Sequence, residues 1–113
     1  MKVKEIMGVL EAKALCLEEM TDKVEVKTAC GSDMMSDVLA YVKDEGLLIT
    51  GLLNAQVVRT AEMMDLPCVC FCRGKVPDDS VIELAREKGI ILISTHFRLY
   101  QACGRLYKHG LDN

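Results

Sequence analysis

The 113-residue chain has no tryptophan, two prolines, and only three tyrosines and two phenylalanines. No two cysteines stand in a CxxC pair, which removes the spacing that zinc fingers and thioredoxin-like redox centres require. No GxGxxG and no GxxxxGK[ST] occurs, so neither common phosphate-binding fingerprint applies. The longest apolar runs, around Gly46 to Ile49 and Ile90 to Ile93, are far too short to span a bilayer. The N-terminus MKVKEIMGVLEAK mixes acidic residues with apolar ones and lacks a small-residue cleavage site, so it does not read as a signal peptide. Basic excess is absent too: net charge is −3 and the pI about 5.4, which excludes the usual nucleic-acid footprint. These absences point to a cytoplasmic protein with reduced thiols, no membrane contact and no nucleic-acid partner.

What is present is apolar. Half of the residues are hydrophobic and mean hydropathy is +0.18. A single domain this small has little interior, so part of that surface is expected to meet a second subunit. Homodimerisation is the first inference from composition.

Period and punctuation divide the chain into alternating elements. Val3, Ile6, Met7 and Leu10 recur at helical spacing, and Ala14 to Leu17 reads as a short strand. Val24, Val26, Thr28 and Cys30 alternate with polar residues, as in a half-exposed strand near a sheet edge. Gly31-Ser32-Asp33 breaks the pattern, and Ser32 or Asp33 is placed to cap a helix whose apolar face is Met34, Met35, Val38, Leu39 and Val42. Leu47 to Thr50 is apolar on both faces, as a central parallel strand is. A helix from about Asn54 to Asp65 follows, then a strand over 68–72. A further helix from Asp78 to Lys88 ends at Gly89, and a strand follows over Ile90 to Ile93. A last helix runs from about Phe97 to Lys108, with Ser94 or Thr95 as its cap. Met20, Met34, Met35, Met63 and Met64 read as core filler. The pattern predicts one α/β domain over residues 1–113. Its mostly parallel sheet is built from βαβ units with helices on both faces, and residues 1–23 form a helix and short strand packed on it.

Six cysteines occur, at 16, 30, 68, 70, 72 and 103. In a strand Cys68, Cys70 and Cys72 share one face at roughly 6.6 Å intervals. Thiolates on one zinc sit about 3.8 Å apart, so a regular strand cannot supply them. Buried cysteine as a small apolar group is the simpler reading, and no metal is expected. Cys72 stands apart, because Arg73 and Lys75 beside it would lower its pKa and make it reactive. A thiolate–imidazole pair with His96 is the catalytic form of that reading. His109, in the last turn, suits the negative end of the helix dipole.

Ligands of open parallel sheets bind beyond the carboxyl ends of the strands. There the sequence places Thr50, Gly51 and Asn54, then Arg73, Gly74 and Lys75, then Thr95 and His96. The surplus of cations favours an anionic small molecule such as a nucleotide or phosphate ester. The alternative is that these groups are ordinary caps and turns. On the last helix Tyr100, Gly104, Tyr107 and Leu111 form one apolar stripe, and Leu99, Ala102, Cys103 and Leu106 another. Two stripes imply two partners, the sheet and a second subunit, with Gly104 permitting close helix approach. Tyr100, Gly104 and Tyr107 are the candidate dimer contact.

The stretches SDMMSDVLA, LLITGLLNAQVVRTAEMMDLPCVCFCRGKVP, VIELAREKGIILIST and FRLYQACGRLYKHGL resemble a DRTGG domain over about residues 24–111. The resemblance implies an α/β module related in fold to the N-terminal domain of HPr kinase. Such domains occur in larger proteins, among them CBS-containing pyrophosphatases, where they are regulatory or dimer-forming, and also as short stand-alone chains, the type this one resembles. Where longer relatives carry Asp-Arg the chain reads Leu52-Leu53, and where they carry Thr-Gly-Gly it reads Cys72-Arg73-Gly74. Any role of the missing Asp-Arg pair is therefore not carried over. The expected function is a non-catalytic regulatory or protein-interaction module acting as a homodimer, on a partner protein and without a cofactor. The alternatives are an anion sensor at the carboxyl edge and, behind it, a cysteine-based redox or metal protein.

Overall fold

The structure, a computed structural model, describes all 113 residues. Helix α1 (Val3–Leu10) and strand β1 (Lys13–Cys16) open the chain, and a single 3-10 turn over Glu18–Met20 follows them. Then come β2 (Thr28–Gly31), α2 (Met35–Tyr41), β3 (Gly46–Thr50), α3 (Ala55–Met63), β4 (Cys68–Phe71), α4 (Asp79–Glu87), β5 (Ile91–Ser94) and α5 (Leu99–Lys108). The sheet order is β1-β5-β4-β3-β2, with β2 through β5 parallel and β1 antiparallel to β5. The α/β class, the mostly parallel sheet and the edge position of β2 are as the sequence predicts.

Strand order steps one way from β2 to β5. Right-handed crossovers therefore carry α2, α3 and α4 to the same face. Val38, Val57, Val58, Ala61, Val81 and Ala85 of those helices pack on Leu48, Val69, Phe71 and Leu92. On the other face α1 and α5 lay Val3, Ile6, Leu10, Ala102 and Leu106 on Leu47, Ile49, Cys68, Cys70, Ile91 and Ile93. Alternation along β4 is thus complete, with cysteines to one side and Val69 and Phe71 to the other. The order never reverses among the parallel strands, so the sheet lacks the switch-point crevice where many α/β folds bind ligands.

Several local expectations are corrected. Strand β2 begins at Thr28 rather than near Val24. Residue Met34, not Ser32 or Asp33, is the N-cap of α2, and it makes no side-chain cap bond. Met34 and Leu39 face solvent, as do Met20 and Met63, so these methionines do not fill the core; in α2 only Val38 is buried. At α5 the N-cap is Arg98, whose N–H donates to Gln101 Oε1 at 3.2 Å, and neither Ser94 nor Thr95 takes that part. The helix ends at Lys108, and Gly110 at φ 108° turns the chain so that Leu111 folds into the core instead of continuing the outer stripe.

Candidate functional site

Every parallel strand ends at the same rim of the sheet, and there the structure spends most of the polar groups on itself. The buried Thr50 hydroxyl donates to Asp33 Oδ1 at 3.0 Å and accepts the Leu52 N–H at 3.1 Å. Gly51 N–H donates to the same Asp33 oxygen at 2.6 Å. Asn54 caps α3, its Oδ1 accepting the Gln56 N–H at 3.1 Å. The Arg73 and Gly74 N–H groups donate to the carbonyls of Phe97 and Thr95, at 2.8 and 2.9 Å. Thr95 is buried, its hydroxyl donating to Leu10 O at 2.6 Å and accepting the Phe97 N–H at 3.3 Å. The Lys75 carbonyl accepts the Ser94 hydroxyl at 2.9 Å. The β4–α4 turn is therefore zipped to the β5–α5 turn.

Three basic side chains, Arg73, Lys75 and His96, keep free ends there. Arg73 sits at φ 63°, in the left-handed region, and its guanidinium lies over Gly51, where a Cβ would come within 2.7 Å of it. No carboxylate pairs with Arg73 or Lys75. The exposed His96 ring leans on Phe97 with centroids 4.3 Å apart. These groups do not share one cavity. Gly74, Thr95 and His96 line a groove of about 360 Å³ with Glu11 and Lys13, while Asn54 lines a separate groove of about 250 Å³ with Asp78. Each groove carries a carboxylate, which opposes an anion. The sequence offers Asp33 as a cap for α2, because a Gly-Ser-Asp stretch before a helix has that look; its carboxylate instead ties β2 to β3.

The thiols are core groups. Cys72 is 1% exposed, and burial pushes its pKa up, with Asp33 adding to the rise. Arg73 and Lys75 pull the other way, but desolvation is the larger effect, so the site disfavours the reactive thiolate that the two cations suggest. His96 is not among the groups acting on that thiol. Burial likewise raises Cys68 and Cys70. All six cysteines are free, and no three His, Cys, Asp or Glu residues are grouped to hold a metal ion.

The largest groove lies elsewhere, about 560 Å³ along the outer face of α5, where Tyr100, Gln101, Gly104, Tyr107 and Lys108 meet. Tyr100 is 89% exposed and Tyr107 66%. Between them Gly104 is open, with nothing within 4 Å of where its Cβ would be. Gly31, by contrast, is tightly packed: a Cβ there would meet Cys103 Sγ at 2.5 Å, so a neighbour would have to shift.

Fold and surface together define a small α/β domain, a five-stranded, mostly parallel sheet covered on both faces. The chain belongs to the DRTGG domain family, whose model matches residues 5–108 and so takes in most of α1 and all of β1. A solved structure with the same fold is that of the CBS and DRTGG domains of the regulatory region of Clostridium perfringens pyrophosphatase, complexed with its activator diadenosine tetraphosphate. The TM-score is 0.76 at 19% identity, over 93% of this chain and 45% of that one. This chain thus spans less than half the length of that neighbour. No curated protein matches it in sequence. No helix is long and apolar enough to cross a membrane.

Proposed function

We propose that residues 1–113 form one non-catalytic regulatory module that works as a homodimer and acts on a partner protein, with the outer face of α5 as its seam. Gly104 carries this reading. A glycine inside a helix costs about 0.8–1.0 kcal/mol relative to alanine, and nothing in its own chain needs the space. Gly8 of α1 is equally open, but no exposed aromatic flanks it. Tyr100 and Tyr107, by contrast, bracket Gly104 on one face with large, rigid rings of the kind that anchor interfaces. Six free thiols suit the reducing cytoplasm.

Sedimentation equilibrium of the parent against Gly104→Leu tests it. Leucine is the better helix former and has room, so the subunit keeps its fold while the dimer is lost; Gly8→Leu leaves the dimer intact. A parent that stays monomeric at high micromolar concentration sinks the proposal.

One observation favours a second reading, an anion sensor: Arg73 and Lys75 hold unpaired charge where β3 and β4 end. The solved neighbour is itself a regulatory region with a nucleotide activator. Melting temperature against a panel of nucleotides and phosphate esters, with Arg73→Ala/Lys75→Ala alongside, decides it. Binding to the folded state stabilises by about 2.7 kcal/mol at 100 times Kd. A shift present in the parent and absent in the variant supports the sensor; no shift in the parent removes it for those compounds.

A further inference from the structure

We infer that the two copies of α5 cross antiparallel about Gly104, so that the Lys108 ammonium of each copy covers the Tyr100 ring of the other. The inference rests on the homodimer reading and adds its orientation and its cross-subunit contact.

Residues four apart on a helix share a face and lie about 6 Å apart along the axis. Tyr100 stands four residues before Gly104 and Lys108 four after, so they are equidistant from the only gap in the outer face. A two-fold axis perpendicular to the helices at Gly104 pairs each residue with the one at equal distance on the opposite side. Tyr100 then meets the partner's Lys108, and Gln101 meets the partner's Tyr107. A two-fold axis parallel to the helices instead stacks Lys108 on the partner's Lys108.

Charge decides between the two. Helix α5 reads LYQACGRLYK and has no acidic residue to soften that repulsion. Lys108 has no ion-pair partner in its own chain, and Tyr100 is almost fully exposed. Antiparallel crossing gives each the other, an ammonium over an electron-rich ring, at a site that closure desolvates. It also sets the two helix dipoles antiparallel, which is favourable, rather than parallel. Arg105 does not compete for the ring. Its guanidinium already lies 4.4 Å from the centroid of Phe97, donates to Val9 O at 2.9 Å and faces Glu11 at 3.8 Å.

The test replaces Tyr100 with p-benzoylphenylalanine, which keeps an aromatic ring. Light and nitrogen-15-labelled copies are mixed, irradiated and mapped by mass spectrometry. Mixed-isotope cross-links to residues 106–109 are expected. Cross-links to 97–101, or none from a sample that sediments as a dimer, overturn the antiparallel seam while leaving the homodimer standing. A parent that never dimerises overturns the homodimer reading itself. In parallel, Lys108→Ala raises the dimer Kd about fivefold to thirtyfold, through two lost cation–ring contacts. Adding Tyr100→Ala to Lys108→Ala then costs less than Tyr100→Ala costs the parent; strictly additive losses count against the contact.

Discussion

Asp33 Oδ1 accepts the Gly51 N–H at 2.6 Å, joining the loop after β2 to the end of β3. The Thr50 hydroxyl donates to the same oxygen at 3.0 Å. One carboxylate thus satisfies two donors at the rim. A charged acceptor near solvent contributes about 1–2 kcal/mol, so Asp33→Ala should lower unfolding free energy by that amount in urea titration. Asp33→Asn keeps a carbonyl acceptor and should lose less. Equal losses in the two variants would remove the carboxylate's special part.

Gly31 and Cys103 make a tight steric pair. A methyl at Gly31 would stand 2.5 Å from Cys103 Sγ, so one of them has to move. Overpacking of this kind costs about 1–3 kcal/mol. Gly31→Ala should therefore melt early, and Gly31→Ala/Cys103→Ala should recover most of the loss. A double variant no more stable than the single one would place the strain elsewhere.

The cysteines of β4 behave as small apolar groups whose thiolates the fold disfavours. Burial raises Cys68, Cys70 and Cys72 above the usual thiol value. Their folded pKa values thus lie above the unfolded ones. The stability linked to them is fully present below about pH 8.5 and falls as pH rises through the folded values. Thermal melts from pH 7 to 10 should show that decline, and Cys70→Ala should flatten it. Maleimide at pH 7 should label the partly exposed Cys30 and Cys103 and spare Cys68, Cys70 and Cys72 in the native protein. Fast native labelling of Cys72 would revive a reactive-thiol role.

Arg73 occupies a left-handed backbone position that glycine adopts freely. Arg73→Gly should therefore leave the melting temperature unchanged or slightly higher, although it deletes a charged side chain. Any anion-induced shift should vanish in the same variant. A marked loss of stability would mean that the guanidinium supports the rim rather than waits for a ligand.

The order of helices and strands was legible in the chain because periodicity is local. Ile91–Ile93 and Leu47–Ile49 are apolar on both faces wherever they end up, and α5 shows two stripes before anything packs against it. The family was legible in the same segments, by their order. The polar rim was not. Thr95 looks like a cap in sequence, yet its hydroxyl donates to the carbonyl of Leu10, 85 positions away. Asp33 likewise turns from its own helix to Gly51. Short polar side chains take whichever partner the assembled rim brings within about 3 Å, and no sequence spacing encodes that choice. Cys72 makes the same point for charge: two adjacent cations are visible in the sequence, but the desolvation that outweighs them exists only once the sheet has closed around the thiol. The sequence by itself determined the elements, their order and the Tyr100, Gly104 and Tyr107 part of the exposed stripe on α5. The tertiary structure alone decided which polar groups remain free, because burial and hydrogen bonding depend on what packs across the chain.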